Sequence, residues 1–79
     1  MKQRSIVVVS EHEPRRPRWD CQGCGQAWPC AVAQKQLIEE APSRSVLRMR
    51  MWDSLEQAAY DMPHAAPSEM FARFLRWTG

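Results

Sequence analysis

All three cysteines of the chain and one of its two histidines fall between His12 and Cys30, spaced H-x8-C-x2-C-x5-C. That spacing constrains the fold more than any other feature. Cys21 and Cys24 lie close enough for one tight turn to aim both sulfurs at a single ion. Gly23 and Gly25 are expected to give the backbone its freedom around the second sulfur. Cys30 returns after five residues, and His12 completes a Cys3His set. A chain of 79 residues makes one domain, and a core of that size supplies only about 3–5 kcal/mol, so small domains often carry a metal or disulfide staple. Three cysteines would leave one thiol unpaired in a disulfide framework.

The compartment bears on the same choice. The start Met1–Arg4 is basic, but only the four apolar residues Ile6–Val9 follow it, against the roughly 7–15 of a secretory signal. No apolar run approaches the roughly 18–20 residues of a membrane span. The expectation is a cytoplasmic protein with no membrane partner, in which thiols stay reduced and clustered cysteines favour metal over disulfide. The predicted cofactor is one structural Zn2+ held by His12, Cys21, Cys24 and Cys30. His64, in a proline-bracketed linker, is one alternative fourth ligand, and a water or carboxylate is another. Pro29 ahead of a helix beginning at Cys30 would set the last sulfur at a helix N-terminus, where partial positive charge favours a thiolate. Arg15, Arg16 and Arg18 are expected to favour the anionic sulfurs as well. Two other readings of the cysteines are three buried structural thiols and a Cys21/Cys24 thiol-redox pair. The second lacks the βαβ context such pairs use.

Around the cluster the sequence is mainly α-helical. Ile6–Val9 suits one short strand, for which Gln26–Trp28 is a candidate partner. Pro14 and Pro17 are expected to hold the His12–Trp19 connector extended. From about Cys30 to Ala41 helix formers run without interruption, with Ala33, Leu37, Ile38 and Ala41 on one face. Pro42 ends this helix, and Ser43 or Ser45 can cap a second from Arg44 to Met62. Its apolar stripe is Leu47, Met51, Leu55, Ala58 and Met62. Pro63–Pro67 reads as a linker. A short final helix from Ser68 to Trp77 would bury Phe71, Phe74 and Leu75. The predicted fold is therefore a mainly α, zinc-stabilised single domain over 1–79. Residues 1–30 form a Cys3His knuckle, with a short strand or hairpin as an option, packed on about three helices in 31–79.

Hydrophobic residues make up 44% of the chain and its formal net charge is +2, which describes a globular protein with no marked polyelectrolyte character. Six Lys and Arg against three Asp and Glu in residues 1–35 make a mild basic asymmetry. Trp19 and Trp28 flank the knuckle. They either pack over the metal site and helices, the favoured reading, or stack on nucleic-acid bases with Arg15, Arg16 and Arg18 on phosphates. Trp52 and Trp77 are expected in the core or at its margin. The remaining arginines, Arg73 and Arg76 among them, are expected on a mixed solvated surface.

The residues H-E-P-R-R-P-R-W-D-C-Q-G-C-G-Q-A-W-P-C of 12–30, with the terminal R-F-L-R-W of Arg73–Trp77, resemble a group of small actinobacterial zinc-finger-like proteins. Their pattern is H-x-P-x-R-P-x-W-x-C-x-x-C-G-x-x-W-P-C. The resemblance covers 12–41 best and implies a zinc-bearing helical miniprotein, without implying an activity. No catalytic constellation is recognised, so the expectation is not an enzyme. It is a binding module, a protein-interaction or regulatory adaptor whose partner is another protein. The alternatives are a nucleic-acid-binding zinc protein using Arg15–Trp19 and a thiol-redox protein using Cys21 and Cys24.

Overall fold

The computed structural model describes residues 12–79; the Ile6–Val9 strand lies outside them. The chain enters as a minimal hairpin. Strand β1 (Pro14–Arg15) pairs antiparallel with β2 (Asp20–Cys21), Pro14 opposite Cys21 and Arg15 opposite Asp20. The connector is thus not held extended as expected but reverses through Arg16–Trp19. The Arg16–Pro17 peptide is cis, the Trp19 N–H donates to the Arg15 carbonyl at 2.7 Å, and Trp19 takes the left-handed conformation with φ 63°. That conformation costs a bulky L-residue about 1–2 kcal/mol. Burial of the indole, only 2% exposed, offsets it. Gln26–Trp28 then pairs back on the hairpin, through an Asp20–Ala27 bridge and a Trp28 N–H to Trp19 carbonyl bond of 2.8 Å.

Three helices follow: α1 (Ala31–Glu40), α2 (Arg44–Asp61) and α3 (Pro67–Phe74), with a closing 3-10 turn at Arg76–Thr78. Ser43 caps α2 by accepting the Val46 N–H at 3.2 Å. Pro67, expected in the linker, opens α3 at a first-turn position where its missing N–H costs nothing. The last helix stops at Phe74, short of the expected Trp77.

The core runs from the knuckle into the bundle. Trp19, Trp28 and Phe74 form an aromatic trio with ring centroids 5.6–6.2 Å apart. Leu47, Met51 and Ala58 of α2 and Met70, Phe74 and Leu75 around α3 are buried. Two predicted core residues are not. Ile38 is 53% and Phe71 44% exposed. Each sits about 100° around its helix from the residue before it, and in each case that preceding residue, Leu37 or Met70, takes the inward position. Trp52, expected in the core or at its margin, is exposed at 45%, whereas Trp77 packs against the core edge. No described helix is long and apolar enough to cross a membrane.

Candidate metal centre

The hairpin and the first turn of α1 bring the predicted donors together. His12 Nδ1 and the sulfurs of Cys21, Cys24 and Cys30 all lie within 4.8 Å of one another. Cys21 Sγ is 3.3 Å and Cys30 Sγ 3.4 Å from His12 Nδ1, and the two sulfurs are 3.8 Å apart. These four residues are positioned to bind one metal ion. His64 is exposed and outside the cluster.

Local backbone chemistry sets each donor. Cys21 ends β2, and its N–H donates to the Gln26 carbonyl at 2.6 Å while its own carbonyl accepts the Gly25 N–H at 2.8 Å. These bonds close the turn that carries Cys24. Gly25 alone of the two expected glycines takes a positive φ, 77°; the freedom foreseen at Gly23 goes unused. Cys30 is the N-cap of α1, its sulfur accepting the Ala33 N–H at 3.5 Å, so the expected helix-terminus ligand is in place. His12 is fixed through its backbone, since its carbonyl accepts the Trp28 indole N–H at 3.0 Å.

The sulfurs differ in proton affinity. Burial pushes the Cys21 thiol up, but the Cys24 and Gly23 N–H groups, with the Cys24 and His12 side chains, outweigh it and bring it to about 7. The Gln26 N–H draws Cys24 down, yet desolvation and the nearby Cys21 and Cys30 sulfurs leave it above the ordinary thiol value. Backbone N–H groups therefore favour the Cys21 anion, not the arginine run as expected.

That run is used elsewhere. Arg16 makes a bidentate pair with Asp61 at the end of α2, at 2.7 and 3.1 Å, and its guanidinium lies 5.6 Å from the Trp19 ring centroid. The Trp19 indole N–H reaches the same carboxylate at 2.8 Å. Arg15 and Arg18 remain exposed. Trp19 and Trp28, 2% and 6% exposed, pack over the helices and present no open face for a base. The stacking role weighed for them is corrected on that ground.

Sequence reasoning missed Arg73. Expected on the solvated surface, it turns inward from α3 and donates from Nε to the Trp28 carbonyl at 2.8 Å and from its terminal nitrogen to the Trp19 carbonyl. Its position beside the buried Met70–Phe74 stripe was the available signal, because an arginine flanking an apolar face can bury its stem and reach across. No protein-family model, curated protein or solved structure matches the chain.

Proposed function

We propose that the protein is a small zinc-binding module in which one Zn2+, held by His12, Cys21, Cys24 and Cys30, is structural, and which serves as a protein-interaction or regulatory adaptor in a reducing compartment. One observation carries the zinc assignment: the spacings among His12, Cys21 and Cys30 match three edges of a zinc tetrahedron, and Cys24 lies in the same cluster of donors within 4.8 Å. Zinc–sulfur bonds of about 2.3 Å and zinc–nitrogen bonds of about 2.0–2.1 Å, meeting at the tetrahedral angle, give edges of about 3.8 Å between sulfurs and about 3.5 Å between sulfur and nitrogen. The cluster has 3.8 Å between Cys21 and Cys30 and 3.3–3.4 Å from His12 to each. The soft thiolate-rich donor set suits zinc over magnesium or calcium. Four protein ligands close the tetrahedron, which supports a structural role over a catalytic one.

The adaptor role is supported by the apolar side chains left half exposed between α2 and α3, Trp52 and Phe71; contiguous apolar surface on a small protein marks interaction sites. The nucleic-acid alternative keeps exposed Arg15 and Arg18, but the tryptophans of the same segment, Trp19 and Trp28, are buried. Native mass spectrometry of the zinc-loaded protein, before and after chelation, tests the centre. One zinc is expected in the wild type, with weakened retention in His12→Ala and loss in Cys24→Ser. Retention of metal and of near-native thermal stability in Cys24→Ser refutes it.

A further inference from the structure

The four donors differ in access to solvent. Cys21 and Cys30 are 2% and 6% exposed, whereas Cys24 is exposed. Cys24 sits on an open turn: Gln22, Gly23, Gly25 and Gln26 are exposed too, and a Cβ added at Gly25 would meet nothing within 4 Å. An electrophile arriving from water therefore meets the Cys24 sulfur first. A reaction partner waits behind it, since Cys21 Sγ lies within the same 4.8 Å cluster and only two residues separate the pair. Cys30 Sγ is engaged differently, by the Ala33 N–H that it caps at the start of α1.

We propose, on the basis of the zinc reading above, that Cys24 is a redox modification site that takes hydrogen peroxide and releases the metal. The Cys24 thiolate attacks one peroxide oxygen, so that an S–O bond forms and the O–O bond breaks. The departing hydroxide takes a proton and leaves as water. Cys24 is then a sulfenic acid. The Cys21 thiolate attacks the Cys24 sulfur, forming the S–S bond and breaking S–O, and the second hydroxide leaves as water with a second proton. The two thiolates give up two electrons in all and the peroxide accepts them. His12 and Cys30 are the donors that remain, half of a closed site, and the zinc leaves. Reduction of the disulfide by a dithiol, with zinc supplied, restores the centre.

Wild-type protein suffices for the test, so no variant has to fold. Zinc content is first established by native mass spectrometry. Hydrogen peroxide is then added with a chromogenic zinc chelator and, in a parallel sample, with dimedone to trap sulfenic acid. Free thiols are alkylated and the modified residues located by tandem mass spectrometry. The expected result is zinc release in step with disulfide formation, a Cys21–Cys24 bond with Cys30 alkylated, and the dimedone adduct on Cys24. Zinc retained in excess peroxide, a first adduct on Cys21 or Cys30, or a disulfide that includes Cys30 overturns the assignment. A chain carrying no zinc before peroxide is added overturns the zinc reading itself, and that outcome is seen before the oxidant enters.

Discussion

Arg73→Met is the sharpest test of how the knuckle is held on the helices. The substitution keeps an unbranched apolar stem against Phe74, whose ring centroid is 5.4 Å from the guanidinium carbon, and deletes the charged fork. The Trp19 carbonyl retains a second partner, the Trp28 N–H at 2.8 Å. The Trp28 carbonyl, which accepts Arg73 Nε at 2.8 Å, has no other described hydrogen bond. A bond to a charged donor contributes about 1.5–3 kcal/mol and an orphaned buried acceptor costs about 1–3 kcal/mol. Against this, burial holds the Arg73 pKa below its ordinary value, so removing the guanidinium recovers part of its desolvation. The expected net loss is about 2–3 kcal/mol. With a urea slope of about 1 kcal/mol/M for a small domain, the unfolding midpoint falls by about 2–3 M. The assay is urea unfolding at saturating zinc, followed by circular dichroism of the helices. Arg73→Lys keeps the charge but not the fork, and is expected between wild type and Met. A midpoint for Arg73→Met within about 0.5 M of wild type refutes the reasoning.

The Asp61 carboxyl is held below the ordinary carboxylate range, first by the Arg16 guanidinium and then by the Trp19 indole N–H, against the opposing effect of burial. A lowered carboxyl pKa stabilises the fold at pH values above the unfolded value of about 3.9 and ceases to do so as pH falls through the folded value. The melting-temperature gap between wild type and Asp61→Asn should therefore be open at neutral pH and narrow on acidification. A gap independent of pH shows that the ion pair contributes nothing. In α2, Met51→Ala should cost about 2–5 kcal/mol, because Met51 is 0% exposed. Leu55, only partly buried, should cost less as Leu55→Ala, and equal losses in chemical denaturation would mean that the α2 stripe faces a different way.

The donors were legible in the sequence because metal binding imposes residue types at short range: a turn carries Cys21 and Cys24, and a helix start carries Cys30. Helical periodicity likewise located α1 and α2 to within a residue or two, since Ala33, Leu47, Met51 and Ala58 mark their inward faces. The misplacements at Ile38 and Phe71 have one origin. Periodicity defines a stripe wider than the contact that neighbouring helices make, and only packing decides which edge of the stripe is covered. Arg16, Asp61 and Arg73 were hidden for a different reason. Their partners lie 45, 42 and 54 positions away, and composition gives no sign of which charged residues will meet. Charged side chains in a small domain are expected at the surface, where Arg16 indeed stays, and nothing in the sequence shows which partner each will take.

Those long-range polar links imply that a metal bound by the four donors and the helices would depend on each other. Residues 12–30 contribute Trp19, Cys21, Trp28 and Cys30 to the core, yet their regular pairing amounts to two short strands and one bridge. Such a segment cannot offset the conformational entropy of its own ordering, roughly 1–2 kcal/mol per residue for the backbone alone. A metal at the His12 end would close the loop on one side. Asp61, through Arg16 and the Trp19 indole, and Arg73, through the Trp19 and Trp28 carbonyls, hold it on the other. Cys30 belongs to both halves, as a donor and as the cap of α1. Loss of the metal would therefore act beyond the knuckle. It would loosen the cap of α1 and the indoles that cover Phe74, the fully buried centre of the α3 contact. Thermal unfolding of the metal-free chain should accordingly weaken the helical signal together with the tryptophan environment, since the two share side chains that neither can bury alone.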